Sequence, residues 1–116
     1  MNILKNLFGG ATTASVNAAE ARARIDAKER LYLLDVRQPD EFAAGHISGA
    51  KLIPLDELSQ RMNELPKDRP ILCICRSGSR SSMATRQLAG AGFEAINLSG
   101  GMIGWQNAGF PIKRGK

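Results

Sequence analysis

The chain has 116 residues, a net charge of +5 from sixteen Lys and Arg against eleven Asp and Glu, 43% hydrophobic residues and 5% aromatic ones. That length fits one domain with one modest core, and no apolar run approaches the ~20 residues that a membrane-spanning helix needs. The basic residues are scattered and the aromatics sparse, which argues against a nucleic-acid binder, whereas a diffuse positive field suits a small anionic substrate.

Residues 1–13 begin MNILKNLFGG, with Ile3, Leu4, Leu7 and Phe8 on one helical face. The stretch is too short for a stable isolated helix, and Lys5 and Asn6 interrupt the apolar core of a signal peptide. It reads as a flexible extension, with the cytoplasm as the expected location and no stable membrane insertion. Ser15 is a candidate N-cap for a helix over 17–28, which is rich in helix formers. A mostly apolar strand follows over 30–36. QPDEFAAG (38–45) reads as a short helix, with Pro39 in its first turn, Asp40 and Glu41 at its positive end and Gly45 as its stop. Residues 50–55 are a short extended segment. Leu55, Leu58, Met62 and Leu65 have helical spacing over 55–65. PKDRP is a turn.

ILCIC (71–75) is a nearly continuous apolar run, as a strand buried on both faces would be. A helix is expected over 81–92, ended by glycines, then a strand over 93–98. A Gly-rich turn then leads to a short helix within 99–109. The domain spans 14–112, and 113–116 is a basic tail expected to fray. Strands alternating with helices predict an α/β fold on a parallel sheet.

Cys73 and Cys75 are the only cysteines. At i and i+2 on one strand they share a face, with Cα atoms near or past the reach of a disulfide. Without clustered His or paired C-x-x-C they make no zinc site. Cys73 reads as a buried small hydrophobe. Cys75 differs, because it ends the strand and enters the loop Arg76-Ser77-Gly78-Ser79-Arg80. In parallel sheets ligands sit beyond the carboxyl ends of strands. A loop entering a helix offers free backbone N–H groups and a positive dipole, Gly78 permits a tight curl, and the two arginines add charge. These features favour a thiolate at Cys75 and an anion beside it.

Three stretches resemble the single-domain rhodanese sulfurtransferases: LLDVRQPDEFAAGHISGAKLIPLDEL (33–58), ILCICRSGSRSSMATRQLAGAGF (71–93) and INLSGGMIGWQNAGFPI (96–112). The resemblance implies a three-layer sandwich, a five-stranded, mainly parallel sheet with helices on both faces. It implies Cys75 as the catalytic nucleophile, which takes the outer sulfur of thiosulfate as a persulfide and passes it to cyanide or a thiol. The acceptor is expected to be a small thiol or a thioredoxin-like protein, with no metal or organic cofactor, and the protein is expected to be a monomer. The backbone of 76–80 is expected to cradle the sulfur. Arg80 is expected at the sulfonate end of thiosulfate, and Arg76 either shares this role or faces solvent. Ser77 and Ser79 either donate hydroxyls or merely permit the curl. Asp35 and Arg37 are expected to brace the loop as an ion pair. Gly-His-Ile places His46 in a structural turn, and Trp105 reads as core or pocket wall.

Two other readings compete. A cysteine phosphatase or arsenate reductase is the first, and the related phosphatases use a longer loop. Here Ile74 precedes the cysteine, and Ser81 stands where a cysteine phosphatase would have arginine, with Arg80 one residue early. A regulatory or persulfide-carrying module with little turnover is the second alternative, and the intact Cys75 loop disfavours a pure binding role.

Overall fold

The computed structural model describes residues 14–116. The extension expected over 1–13 lies outside the described residues. Five strands form one parallel sheet: β1 (Ala14–Val16), β2 (Tyr32–Asp35), β3 (Lys51–Leu52), β4 (Ile71–Ile74) and β5 (Ala95–Leu98). Their spatial order is β1-β5-β4-β2-β3. Between them run α1 (Ala18–Asp26), α2 (Pro39–Ala44), α3 (Leu58–Arg61), α4 (Ser79–Gly90) and α5 (Gly101–Asn107).

β4 lies at the centre because it has an apolar side chain for each face. Ile71, Cys73 and, just beyond the strand, Cys75 join Leu34, Leu58, Ala84 and Leu88 in one buried cluster. Leu72 and Ile74 join Ala18, Ala21, Met102 and Trp105 in the other. Thus α3 and α4 cover one face and α1 and α5 the other, which makes three layers. The chain leaves β2 toward β3 and β4 toward β5, in opposite directions across the sheet. The carboxyl ends of β2 and β4 therefore form the switch point at which such sheets bind ligands.

Three expectations are corrected. Residues 14–16 form the edge strand β1, and the cap of α1 is Asn17, not Ser15. Ala-Ser-Val is too short and polar to show a strand period; its pairing with Ile96–Leu98 makes it a strand. Residues 55–64 wind as a 3₁₀ turn, α3 and a second 3₁₀ turn (Met62–Glu64) rather than one helix. Spacing by three serves both helix types, so the apolar pattern does not separate them. The tail does not simply fray: His46 and Lys113 exchange backbone hydrogen bonds of 2.9 and 2.7 Å, and Gly115 N–H donates to Ala43 O. Among the described residues no helix is long and apolar enough to cross a membrane.

His46 is buried, its ring stacked on Phe42 at 3.7 Å and its Nδ1–H donating to Phe42 O at 2.8 Å. Trp105 packs in the core and donates Nε1–H to Pro111 O. Both residues therefore pin chain turns.

Asn17 and Glu20 close a reciprocal capping box at the start of α1, with bonds of 2.8 and 2.9 Å. Asn17→Ala removes one half of it. It should cost about 1 kcal/mol and lower Tm by roughly 4–8 °C for a domain of this size. Thermal unfolding checks this; an unchanged Tm would show that β1 alone secures this end of the chain.

Candidate active site

Cys75 follows the last residue of β4, and its backbone is held from outside the loop. Its carbonyl accepts from Met102 N at 2.9 Å, and the Arg76 carbonyl accepts from Ile103 N at 3.0 Å. Both donors belong to the first turn of α5, whose amides have no partner within their own helix. Gly101 allows this approach. A Cβ there would lie 2.5 Å from the carbonyl oxygens of both Cys75 and Arg76, and its φ is +56°.

The chain then turns at Gly78, which has a left-handed φ of +103° and sits against Gly100, with a hypothetical Cβ 3.1 Å from Gly100 N. Gly78 caps α4, and Ser82 N bonds Gly78 O at 3.0 Å. The helix therefore begins at Ser79, two residues before its expected start, so Ser79 and Arg80 lie in its first turn.

Two polar groups converge on Cys75 Sγ: Gly78 N–H donates at 3.1 Å, and the Ser81 hydroxyl lies at 3.2 Å. Gly78 is the one residue of 76–80 whose N–H the structure brings to the sulfur. Ser81 Oγ also lies 2.6 Å from Asn97 Oδ1, on β5. Cys75 is fully buried, as is Cys73, and both are free thiols. Burial pushes the Cys73 thiol up to about 12, partly opposed by the Thr85 hydroxyl, with Cys75 beside it adding to the rise. Cys73 is therefore protonated and inert at neutral pH.

A cavity of about 270 Å³ opens beside the loop, lined by Arg37, Glu41, Ala44, Arg76, Met102, Ile103 and Gln106. It reaches Arg76 but not Cys75, which has no open surface. Arg76 and Ser77 are exposed. Among the described residues Arg76 makes no ion pair. Arg80, by contrast, is gripped by Glu41: Nη1 donates to Oε1 at 2.7 Å and Nη2 to Oε2 at 2.9 Å. That bidentate pair joins α4 to α2 and leaves Arg80 outside the cavity wall.

Asp35 and Arg37 form a buried pair, with Nε to Oδ1 at 2.9 Å and Nη2 to Oδ2 at 2.8 Å. Arg37 Nη2 also donates to Gly45 O at 2.8 Å. The brace thus runs to the end of α2, with no hydrogen bond to residues 76–80, although Arg37 reaches the cavity.

Four contributors escaped the sequence reading. In the sequence Ser81 stands out only as the residue where a phosphatase would have arginine. Glu41 was read as a helix-start residue, yet its carboxylate binds both Gln38 N and Arg80. Asn97 and Gly101 carried no local signal, because only the packing of β5 and α5 brings them to the loop.

A family model described as rhodanese-like domain matches residues 17–108. A sulfurtransferase of Allochromatium vinosum is 38% identical over 98 residues, covering 84% of this chain and 92% of that one. A Bacillus subtilis chain named as a sulfur carrier is 42% identical over 85 residues, 72% of this chain and 46% of that one. The crystal structure of a thiosulfate sulfurtransferase from Pseudomonas aeruginosa superposes with a TM-score of 0.82 at 33% identity. The match covers 90% of this chain and 21% of that one.

The Arg80 pair holds the Glu41 carboxyl well below its ordinary value of 4.5, at about 2, with its bond from Gln38 N adding to the effect. A depressed carboxylate stabilises the fold fully above about pH 4.5, and that contribution is lost as pH falls through about 2. Glu41→Gln should therefore be less stable than the parent at neutral pH, with the gap closing in acid toward pH 2. Urea unfolding across this pH range checks it; a gap that persists at pH 2 would show that charge pairing is not its source.

Proposed function

The chain belongs to the rhodanese-like sulfurtransferase family, and from that premise we propose that Cys75 carries sulfane sulfur from thiosulfate to a thiol, or to cyanide, as a persulfide. The observation that carries this reading is the convergence of Gly78 N–H and the Ser81 hydroxyl on Cys75 Sγ at the carboxyl end of the central strand, at 3.1 and 3.2 Å.

The Cys75 thiolate attacks the outer sulfur of thiosulfate. A new S–S bond forms, and the bond to the sulfonate sulfur breaks, its electron pair leaving with sulfite. An acceptor thiolate then attacks the outer sulfur of the Cys75 persulfide, leaves with it as a new persulfide, and returns Cys75 to the thiolate. One displacement becomes two through a covalent intermediate. Preorganised donors at Cys75 Sγ favour the thiolate that starts the first displacement and is restored by the second. Exposure on the cavity wall and the lack of an ion-pair partner among the described residues support Arg76 as the contact for the anionic end of the donor. It takes the role that the sequence reading assigned to Arg80, whose fork Glu41 already fills. Because Cys75 is closed to solvent, entry of the donor sulfur requires displacement of the residues that cover it.

The kinship to a sulfur carrier supports a second reading of the same site, in which a protein persulfide replaces thiosulfate as donor. Intact mass after incubation with thiosulfate separates the two. The wild type and Cys73→Ser should each gain one sulfur, about 32 Da, and Cys75→Ser none. No gain in the wild type would remove thiosulfate as the donor and leave the carrier reading.

Arg76→Ala should raise the KM for thiosulfate roughly tenfold, the scale of one charge-assisted contact, while leaving discharge of a preformed persulfide to a thiol nearly unchanged. Steady-state kinetics at varied thiosulfate checks it; an unaltered KM would take Arg76 out of the donor site.

A further inference from the structure

The Ser81 hydroxyl has one proton and two neighbours that could accept it, Cys75 Sγ at 3.2 Å and Asn97 Oδ1 at 2.6 Å. With Oδ1 facing it at the shorter distance, the proton points to Asn97, and the hydroxyl can only accept from a Cys75 thiol S–H. That arrangement suits the resting thiol and not the thiolate. Rotating the Asn97 amide by half a turn moves no heavy atom out of place and presents Nδ2–H instead. Nδ2 then donates to Ser81 Oγ, and the Ser81 proton turns to the sulfur. The thiolate now receives two donors, Gly78 N–H and Ser81 O–H, where the thiol state had one.

We propose that Asn97 is a positioning residue whose amide orientation sets the direction of the Ser81 hydroxyl, and so whether that hydroxyl serves the thiol or the charged sulfur of Cys75. The inference rests on the reading of Cys75 as the sulfur-carrying nucleophile, and deepens it. Asparagine suits the task because its side chain ends in a donor and an acceptor on interchangeable sites. The half-buried setting between β1 and β4 holds it in place: Asn97 pairs with Ser15 on one side and Cys73 on the other.

The titratable groups around Cys75 are Cys73 on β4, Asp35 and Arg37 at the end of β2, Glu41 on α2, and Arg76 and Arg80 on the loop and α4. Among the described residues none of these side chains hydrogen-bonds Ser81 or Asn97. The relay is therefore electrically neutral and shares no hydrogen bond with the two ion pairs, although the Arg80 charge acts on Cys75.

The test is the pH profile of Cys75 alkylation by iodoacetamide, followed by intact mass, which needs no sulfur donor. Asn97→Asp offers only acceptors and commits the Ser81 proton to residue 97. It should move the profile to higher pH and slow alkylation at pH 7 by at least about tenfold, the scale of one hydrogen bond to a charged group. Asn97→Ala releases the hydroxyl to the sulfur and should leave the rate within about threefold of wild type, since a freed hydroxyl keeps its bond to the sulfur. A packing role predicts the reverse order, with truncation worse than the isostere.

Placing Asn97→Asp on a Ser81→Ala background separates the relay from direct charge repulsion. The Asp effect should vanish there; persistence at full size would overturn the proposal, as would an unmoved profile in Asn97→Asp. If Asn97→Asp does not fold, the side-chain amide of Asn97 in the wild type decides. Its NMR signals should shift with the pH midpoint of Cys75 alkylation and lose that shift in Ser81→Ala; signals unmoved through the midpoint would overturn the proposal. Thiosulfate loading measured in parallel tells failure of the relay from failure of the sulfur-transfer reading, because alkylation reports Cys75 whatever the donor.

Discussion

The site depends on two backbone hydrogen bonds, from the amides of Met102 and Ile103 to the carbonyls of Cys75 and Arg76. A loop leaving a central strand has carbonyls and amides that both need partners. Giving the carbonyls to α5 leaves the amide of Gly78 to turn inward onto the sulfur. The exchange satisfies two orphan donors at the start of one helix and shapes the entry to another. It also explains why glycines stand opposite each other. Gly101 must let carbonyl oxygens approach to a distance no Cβ would tolerate, and Gly78 must turn against Gly100.

Charge is arranged around this frame rather than within it. Asp35–Arg37 joins the end of β2 to the end of α2 through Gly45 O, and Glu41–Arg80 joins α2 to α4. Each arginine is held in a fork by a carboxylate, the geometry in which guanidinium is least replaceable. The outcome is a site with a rigid, internally neutralised border and one exposed arginine, Arg76, on the cavity wall. Within it the hydrogen-bond partners of the Cys75 sulfur, Gly78 N–H and the Ser81 hydroxyl, are neutral.

The contrast between the two cysteines follows from two residues of chain. Cys73 and Cys75 point to the same side of the sheet and join the same buried cluster. Cys73 lies within the strand, where burial pushes its thiol up to about 12. Cys75 lies past the strand's end, where the backbone curls and an amide and a hydroxyl reach its sulfur. Burial is equal; the supply of hydrogen-bond donors differs.

Much of this was legible in the residues. The apolar run 71–75, the helix-forming stretches and the polar, Gly-containing loop after Cys75 are local patterns, and local patterns report periodicity and turn chemistry. They determined the α/β class, the position of Cys73 within a strand and of Cys75 at its end, and the place of the loop beyond it. What they could not report was partner choice. Ala14–Val16 is a strand only because β5 lies beside it, and Arg80 turns from the cavity only because α2 brings Glu41 within 2.7 Å. Asn97 meets Ser81 across 16 residues of chain, and Gly101 meets Cys75 across 26. Such contacts arise when the sheet order places strands and helices together, and no short stretch of sequence encodes that order.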